Sequence, residues 1–330
     1  MLAKKVIIRV DGNSSMGLGH IYRGLAIAEM LKDQFDVIFV IRQTTTAIPI
    51  EDSGFSFRFI PKNIIINKES EWLKDFFTSE AIIILDGYQF DENYQTKLKN
   101  YNFKLIYIDD LALGTQKADF VINHNPGAKE IDYKTEEYTK LALGLNYAML
   151  RPVFLEIAKQ KRHIQNIDTA FVCFGGSDTY DYTLRSVKAL LKVDQFKKIN
   201  VVIGEAYAHE DIFELCKTNP IININKNLSE TELIAIMQAS NFAIAPSSTI
   251  LLELMAVGMP ILSGYYVENQ KKFYQHLKDH NLIYGIDNFS DITDEKLRQN
   301  IISLLTKPYQ DQNIIDGMQK RRFIEIIDTL

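Results

Sequence analysis

The chain has 330 residues, 46% apolar and 24% charged, which places it among globular proteins and outside the disordered and fibrous classes. At about 150 residues per domain that length suggests two domains. Lys and Arg total 37 against 42 for Asp and Glu, a net charge of −5, so nothing in the overall charge favours a nucleic-acid backbone as partner. Cys173 and Cys216 are the only cysteines, too few for a disulfide framework and not in a zinc-binding spacing, which fits a reducing compartment such as the cytoplasm.

The basic start followed by Val6-Ile-Ile-Arg-Val10 reads as a first strand and not a signal peptide, because Arg9 and Asp11 interrupt the apolar run. Short runs rich in Val, Ile and Phe recur from there, many of them separated by amphipathic segments of helix length, the pattern of parallel strands joined by crossover helices. The first half predicts strands over residues 5–10, 36–41, 57–60, 82–86, 104–108 and 120–122, and helices over 20–32, 69–77 and 92–99. The second half restarts with strands over 169–174, 200–203, 221–224, 242–245, 260–263 and 283–286. Both halves are α/β and doubly wound. Arg151-Pro152 and the charged stretch over 156–163, which shows no core pattern, suggest a linker, dividing the chain into domains 1–152 and 153–330. The tail from Gln310 reads as one or two polar helices with one buried face, assigned to the second domain. No apolar run reaches the roughly 20 residues that span a bilayer, so stable membrane insertion is not expected.

The first strand runs into Asp11-Gly-Asn-Ser-Ser-Met-Gly-Leu-Gly-His20 and then a helix. A glycine loop entering a helix N-terminus lets backbone N–H groups approach an anion or a polar sugar group. The spacing of Gly17, Gly19 and Gly24 matches neither the dinucleotide fingerprint nor a P-loop. His20 lies off the apolar face formed by Leu25, Ala28 and Leu31, so it reads either as a helix-entry side chain or as a base. His124, His163, His209, His276 and His280 show no metal-ligand spacing and read as structural or solvated.

In the second half, Gly175-Gly-Ser-Asp178 is another strand-to-helix turn, serving either as a tight turn capped by Asp178 or Thr179 or as an anion loop. Ser247, Ser248 and Thr249 put hydroxyls and N–H groups at the start of a short helix, which suits a diphosphate. Glu253 follows one turn later, where it could complement the helix dipole or accept bonds from the two hydroxyls of a ribose.

These features resemble the GT-B group of nucleotide-sugar enzymes, to which MurG-type glycosyltransferases belong, and more particularly the PseG family of UDP-2,4-diacetamido-2,4,6-trideoxy-β-L-altropyranose hydrolases with its SpsG-like relatives. The matching stretches include Gly17-Leu-Gly-His-Ile-Tyr-Arg23, Leu85-Asp-Gly-Tyr88, Asp109-Asp110, Ile122-Asn-His-Asn125, Tyr147-Ala-Met-Leu-Arg151, Phe174-Gly-Gly-Ser-Asp178, Ser247-Ser-Thr249 with Glu253, and Glu268-Asn-Gln270. The family's usual Asp-His-Tyr is Asp86-Gly87-Tyr88 here, and the chain has an extra stretch beyond about residue 290. The resemblance implies two Rossmann-like domains facing across a cleft. It implies that His20 is the general base for a hydrolytic water, with Tyr88 and Asn269 near the sugar. Asp11, Gly17, Gly19 and Asn125 are assigned to the substrate, and Gly175, Gly176, Ser177, Ser247, Ser248, Thr249 and Glu253 to UDP. Water attack at the anomeric carbon would invert C1 and release UDP, a good leaving group that needs no paired carboxylates; no metal or other cofactor is expected. The rival readings are an inverting glycosyltransferase, whose base would deprotonate an acceptor hydroxyl, and a non-catalytic nucleotide-sugar-binding protein.

Overall fold

The computed structural model of the chain describes residues 4–13, 16–307 and 314–330. Ser14 and Ser15 of the first loop, and residues 310–313 of the expected tail, lie outside the described residues. The chain forms two compact units, Met1–Glu156 with Asp316–Leu330, and Ile157–Ile315.

The first unit is built on β1 (Lys5–Val10), β2 (Asp36–Arg42), β3 (Ser56–Ile60), β4 (Ile82–Asp86), β5 (Lys104–Ile108), β7 (Phe120–Asn123) and β9 (Lys140–Leu143), with β6 (Thr115–Gln116) and β8 (Lys134–Thr135) paired as a separate short ribbon. Its seven-stranded sheet has the order β3-β2-β1-β4-β5-β7-β9, and every pairing is parallel. The inner strands are largely apolar because both faces are covered, and Ile7, Ile8, Ile83 and Ile84 are all fully buried, whereas the edge strands β3 and β9 are mixed. The crossover helices are α1 (Gly19–Leu31), α2 (Ile48–Asp52), α3 (Glu69–Phe76) and α4 (Glu92–Asn100). Beside them the chain carries α5 (Pro152–Ala158), within which it passes from one unit to the other.

The second unit repeats the plan with β10 (Thr169–Cys173), β11 (Lys198–Ile203), β12 (Ile222–Lys226), β13 (Phe242–Pro246), β14 (Ile261–Tyr265) and β15 (Tyr284–Asn288), in the order β12-β11-β10-β13-β14-β15. Its helices are α6 (Tyr182–Leu190), α7 (Asp211–Thr218), α8 (Glu230–Ala239), α9 (Ile250–Ala256), α10 (Glu268–Asp279) and α11 (Asp294–Leu305). In each unit the winding direction reverses between the first and fourth strands, β1 and β4 or β10 and β13, and such reversals open a crevice at the strands' carboxyl ends.

The structure bears on two expectations about domain organisation. The passage between the units falls between Glu156 and Ile157, within the expected linker, whose residues 156–163 bury only Ala158; what the sequence reading lacked is that Pro152 opens α5, which buries Phe154 and Leu155 just before it. The C-terminal helix α12 (Gln319–Asp328) belongs to the first unit, not to a domain 153–330. Its apolar stripe, Phe323, Ile326 and Ile327, is buried, and the helix packs against α1. Buried Gln319 donates to the Leu145 carbonyl at 3.2 Å, and Lys320 pairs with Asp33 at 2.6 Å. The edge strand β9 was not anticipated from the sequence; Lys140-Leu-Ala-Leu143 is too short and too mixed to stand out.

Candidate active site

In the first unit the ends of β1, β4 and β5 lie side by side, since Val10 pairs with Asp86 and Asp86 with Ile108. The loop leaving β1 leads into α1, and two glycines shape it. Gly12 leaves no room for a side chain, as a Cβ there would come within 2.8 Å of Ile21 and 2.9 Å of the Gly17 carbonyl; Gly17 adopts φ +85°, which favours glycine. The first turn of α1 has no side-chain cap, so its N–H groups remain available at the sheet edge. Gly19 is the exposed first residue of that turn.

His20, in the same turn, places Nδ1 2.8 Å from Oδ1 of Asp86, a fully buried residue at the end of β4. Arg23, one turn on, donates Nε to Asp86 Oδ2 at 2.7 Å and Nη2 to Asp86 Oδ1. Its Nη1 donates to both oxygens of Asp110 at 3.0 and 3.1 Å. Burial works against charge on Asp86, but Arg23 and then His20 outweigh it and hold the carboxyl below its ordinary range. Arg23 is likewise held charged against its burial by Asp86 and Asp110. An ionised carboxylate can only accept, so the Nδ1 proton belongs on His20 and the lone pair lies on Nε2. Arg23 Nη2 also approaches Nδ1, at 3.0 Å, but its proton is directed to the nearer carboxylate oxygen.

The Tyr88 ring stands edge-on to His20 with centroids 5.2 Å apart, and its hydroxyl reaches Asp110 at 3.4 Å. The ring is 59% exposed. Burial and then Asp110 raise its pKa, so the phenol stays protonated. Asn125 follows β7 and is buried; its Oδ1 accepts from Gly127 N at 3.1 Å. Neighbouring His124 is driven to a pKa of about 4 by burial and then by the charge of Arg23, which marks it as a neutral structural imidazole.

Asp11 does not behave as a substrate ligand. Its Oδ1 accepts from Arg42 N at 2.8 Å and Thr45 Oγ1 at 2.7 Å, and its Oδ2 meets fully buried Arg9 at 2.7 Å. Arg9 also makes bonds of 3.0 and 3.1 Å to Glu69, so Asp11 belongs to a buried charge network that braces the start of the loop.

In the second unit the corresponding sheet edge carries residues 175–178, 247–249 and 268–270. Gly175 takes φ +85°, and the loop passes so close to the end of β11 that a Cβ on Gly204 would lie 2.5 Å from the Gly176 Cα. Gly175, Gly176 and Ser177 are exposed, while buried Asp178 turns inward and accepts from Tyr182 N and Thr183 N at 3.0 and 2.7 Å. The three hydroxyl residues divide. Ser247 is buried with its Oγ 3.0 Å from Ser263 Oγ, which corrects its expected place at a phosphate: it ties β13 to β14. Ser248 and Thr249 face outward at the uncapped start of α9. Burial first pushes the Cys173 thiol, at the end of β10, up to about 11, and the charge of Glu253 in α9 adds to that rise. Asn269 is exposed in the uncapped first turn of α10.

The structure thus brings His20 and Tyr88 together in the first unit, and the exposed residues of the 175–177 loop, Ser248, Thr249, Glu253 and Asn269 to one sheet edge in the second. Sequence reasoning assigned no role to Arg23, Asp86 and Asp110. Their signal is a carboxylate directly after a buried strand run and an Arg three residues after His20 on one helix face.

No family model matches the chain. It is 27% identical over 338 residues to an uncharacterized protein of Methanocaldococcus jannaschii, covering 94% of this chain and 68% of that one. It is 27% identical over 273 residues to the UDP-2,4-diacetamido-2,4,6-trideoxy-beta-L-altropyranose hydrolase of Campylobacter jejuni, covering 81% of this chain and 93% of the relative. Among solved structures, Acinetobacter baumannii MurG superposes with a TM-score of 0.67 at 12% identity, covering 99% of this chain and 98% of that one. The chain therefore has the two-domain, Rossmann-like GT-B fold and is similar in sequence to a nucleotide-sugar hydrolase.

Proposed function

We propose that the protein hydrolyses a UDP-sugar, UDP-2,4-diacetamido-2,4,6-trideoxy-β-L-altropyranose or a close UDP-diacetamido relative, by attack of water at the anomeric carbon, as a step of pseudaminic (nonulosonic) acid formation. The observation that carries this reading is the His20–Asp86 pair: an imidazole oriented through Nδ1 by a buried, ionised carboxylate, with the lone pair left on Nε2.

In this mechanism His20 Nε2 takes a proton from water as its oxygen attacks C1. Asp86 stabilises the imidazolium that forms, as the buried carboxylate of a catalytic triad does. Arg23 and Asp110 fix Asp86 and Tyr88, so the base is held in one orientation before the substrate arrives. The second unit receives the nucleotide: backbone N–H groups of Gly176, Ser177 and Thr249 and the Ser248 hydroxyl face the diphosphate, Gly175 shapes the loop, Glu253 accepts from the ribose hydroxyls, and Asn269 meets the sugar. Negative charge growing on the departing diphosphate is met by these dipoles, so the reading asks for no metal cofactor. Among the described residues no helix is long and apolar enough to cross a membrane. A cytoplasmic site of action is part of the proposal.

The test is UDP release from a panel of UDP-sugars with no acceptor present, run in heavy-oxygen water. Hydrolysis at C1 puts the label in the free sugar and none in UDP. Label in UDP overturns attack at carbon, and UDP release that requires an added hydroxyl acceptor makes the protein an inverting transferase.

A further inference from the structure

Next to the His20 pair the first unit contains a cavity of about 300 Å³, with Tyr88 in its wall. Apolar side chains contribute to that wall: Leu111 and Leu113, which are 41% and 70% exposed, over fully buried Phe90 beneath. The two leucines are the part of it that a ligand can reach. Together with Tyr88 they gather exposed apolar surface around one opening, and clustered exposure of this kind marks binding surfaces.

The polar groups of the lining narrow what can bind. Three carboxylates line the cavity, and each is already engaged: Asp91 accepts from Tyr94 N at 2.9 Å, Glu92 pairs with Lys117 at 3.3 Å, and Asp109 accepts from Leu111 N and Ala112 N at 3.1 and 2.7 Å. No Lys or Arg is among the lining residues, so a phosphate or carboxylate has no counter-charge there. The amide group of Gln95 is also spent, donating to the Phe90 carbonyl and to Gln116 Oε1 and accepting from Lys117 N and Ala118 N. The remaining lone pairs of the three carboxylates are left to accept N–H or O–H donors such as an amide N–H. Tyr107 differs: it is only 7% exposed, lines the cavity, and its hydroxyl makes no hydrogen bond to a described residue. Burial and then Asp109 keep it a protonated donor. A donor set in an apolar wall fits a carbonyl that carries an alkyl end.

We propose that this cavity is an acyl subsite, taking the carbonyl of an N-acyl substituent on the Tyr107 hydroxyl and its alkyl end against Tyr88, Leu111 and Leu113. The proposal deepens the nucleotide-sugar reading and rests on it for the identity of the molecule that carries the acyl group. At about 300 Å³ the cavity is larger than a two-carbon acyl group needs, so longer acyl chains fit as well.

The test uses free sugars and fluorine NMR on the full chain, with N-trifluoroacetylglucosamine as probe and 2-deoxy-2-fluoroglucose as a control without an acyl group. The acyl probe broadens with the wild type and the control does not. Tyr107→Phe, which removes a hydroxyl with no structural bond, weakens the probe about threefold to tenfold, and Leu113→Trp, at an exposed position, abolishes the broadening. Equal behaviour of probe and control, or broadening untouched by both substitutions, overturns the subsite. Calorimetry with UDP on the same samples reports separately on the nucleotide reading: absent UDP binding defeats that reading, while the fluorine result still decides the acyl subsite.

Discussion

Replacing Asp86 with Asn changes one oxygen for an NH2 group at the point where three donors converge. The wild-type carboxylate accepts from His20 Nδ1 at 2.8 Å and from two nitrogens of Arg23. An amide has one accepting oxygen, and with that oxygen retained by Arg23 its NH2 faces His20 Nδ1. The imidazole then relieves the clash by moving its proton to Nε2, which removes the lone pair that takes a proton from water. The corresponding change in a serine-protease triad costs about 10⁴-fold in turnover, and a general base is worth about 10²- to 10⁴-fold, so UDP release should fall by about that much. Stability falls less drastically. Breaking a buried ion pair costs about 3–5 kcal/mol, and the low end applies because Asp110 still holds Arg23 through two bonds. A loss of about 3 kcal/mol lowers Tm by roughly 6–12 °C for a unit of this size. The assay is UDP release at 25 °C, with Tm and UDP affinity measured on the same samples and the His20 tautomer read by nitrogen NMR. Turnover within threefold of wild type refutes the argument, as does lost turnover with the Nε2 lone pair still in place.

His20→Ala should lower kcat by about 10²- to 10⁴-fold with UDP affinity and Tm nearly unchanged; loss of activity through unfolding alone would sink the assignment. Glu253→Ala should cost about 1–3 kcal/mol in UDP binding by calorimetry, and equal affinities would remove the ribose contact from the reading. His124 gives a pH prediction. Its folded pKa of about 4 lies below the unfolded value of about 6.5, so the unfolded chain takes up a proton first as pH falls. Stability should therefore decline by about 3 kcal/mol between about pH 6.5 and 4, in urea unfolding, and His124→Gln should lose that part of the slope.

Much of the architecture is legible without coordinates, because strands buried on both faces must be apolar throughout. Ile82-Ile-Ile-Leu85 and Ala170-Phe-Val-Cys173 announce themselves as parallel strands for that reason. An edge strand escapes this logic, since one of its sides has no strand to pair with, and β9 with its leading Lys140 went unread. Periodicity also reveals that α12 has a buried face without naming what covers it. The stripe of Phe323, Ile326 and Ile327 would suit either unit, and only the folded chain returns it to α1.

The candidate site divides along the same line. Glycines before a helix, and a His off its apolar face, follow from local backbone rules, so the sequence alone determines that a glycine-bearing stretch leads into a helix that presents His20 near its start. What makes His20 a base is tertiary. Asp86 and Asp110 are 66 and 87 residues away from their partners His20 and Arg23, and they meet only because the sheet order sets β1 beside β4 and β4 beside β5. Ser247 and Ser248 show the same limit at the scale of one residue. Adjacent hydroxyls are equivalent as letters, but Ser247, just past the end of β13 and with its N–H donating to the Gly264 carbonyl, turns inward to Ser263, while Ser248 is partly exposed. Local patterns determine which segments become strands, helices and turns; which side chains then share a hydrogen bond is decided by strand order and register, where distant segments are brought into contact.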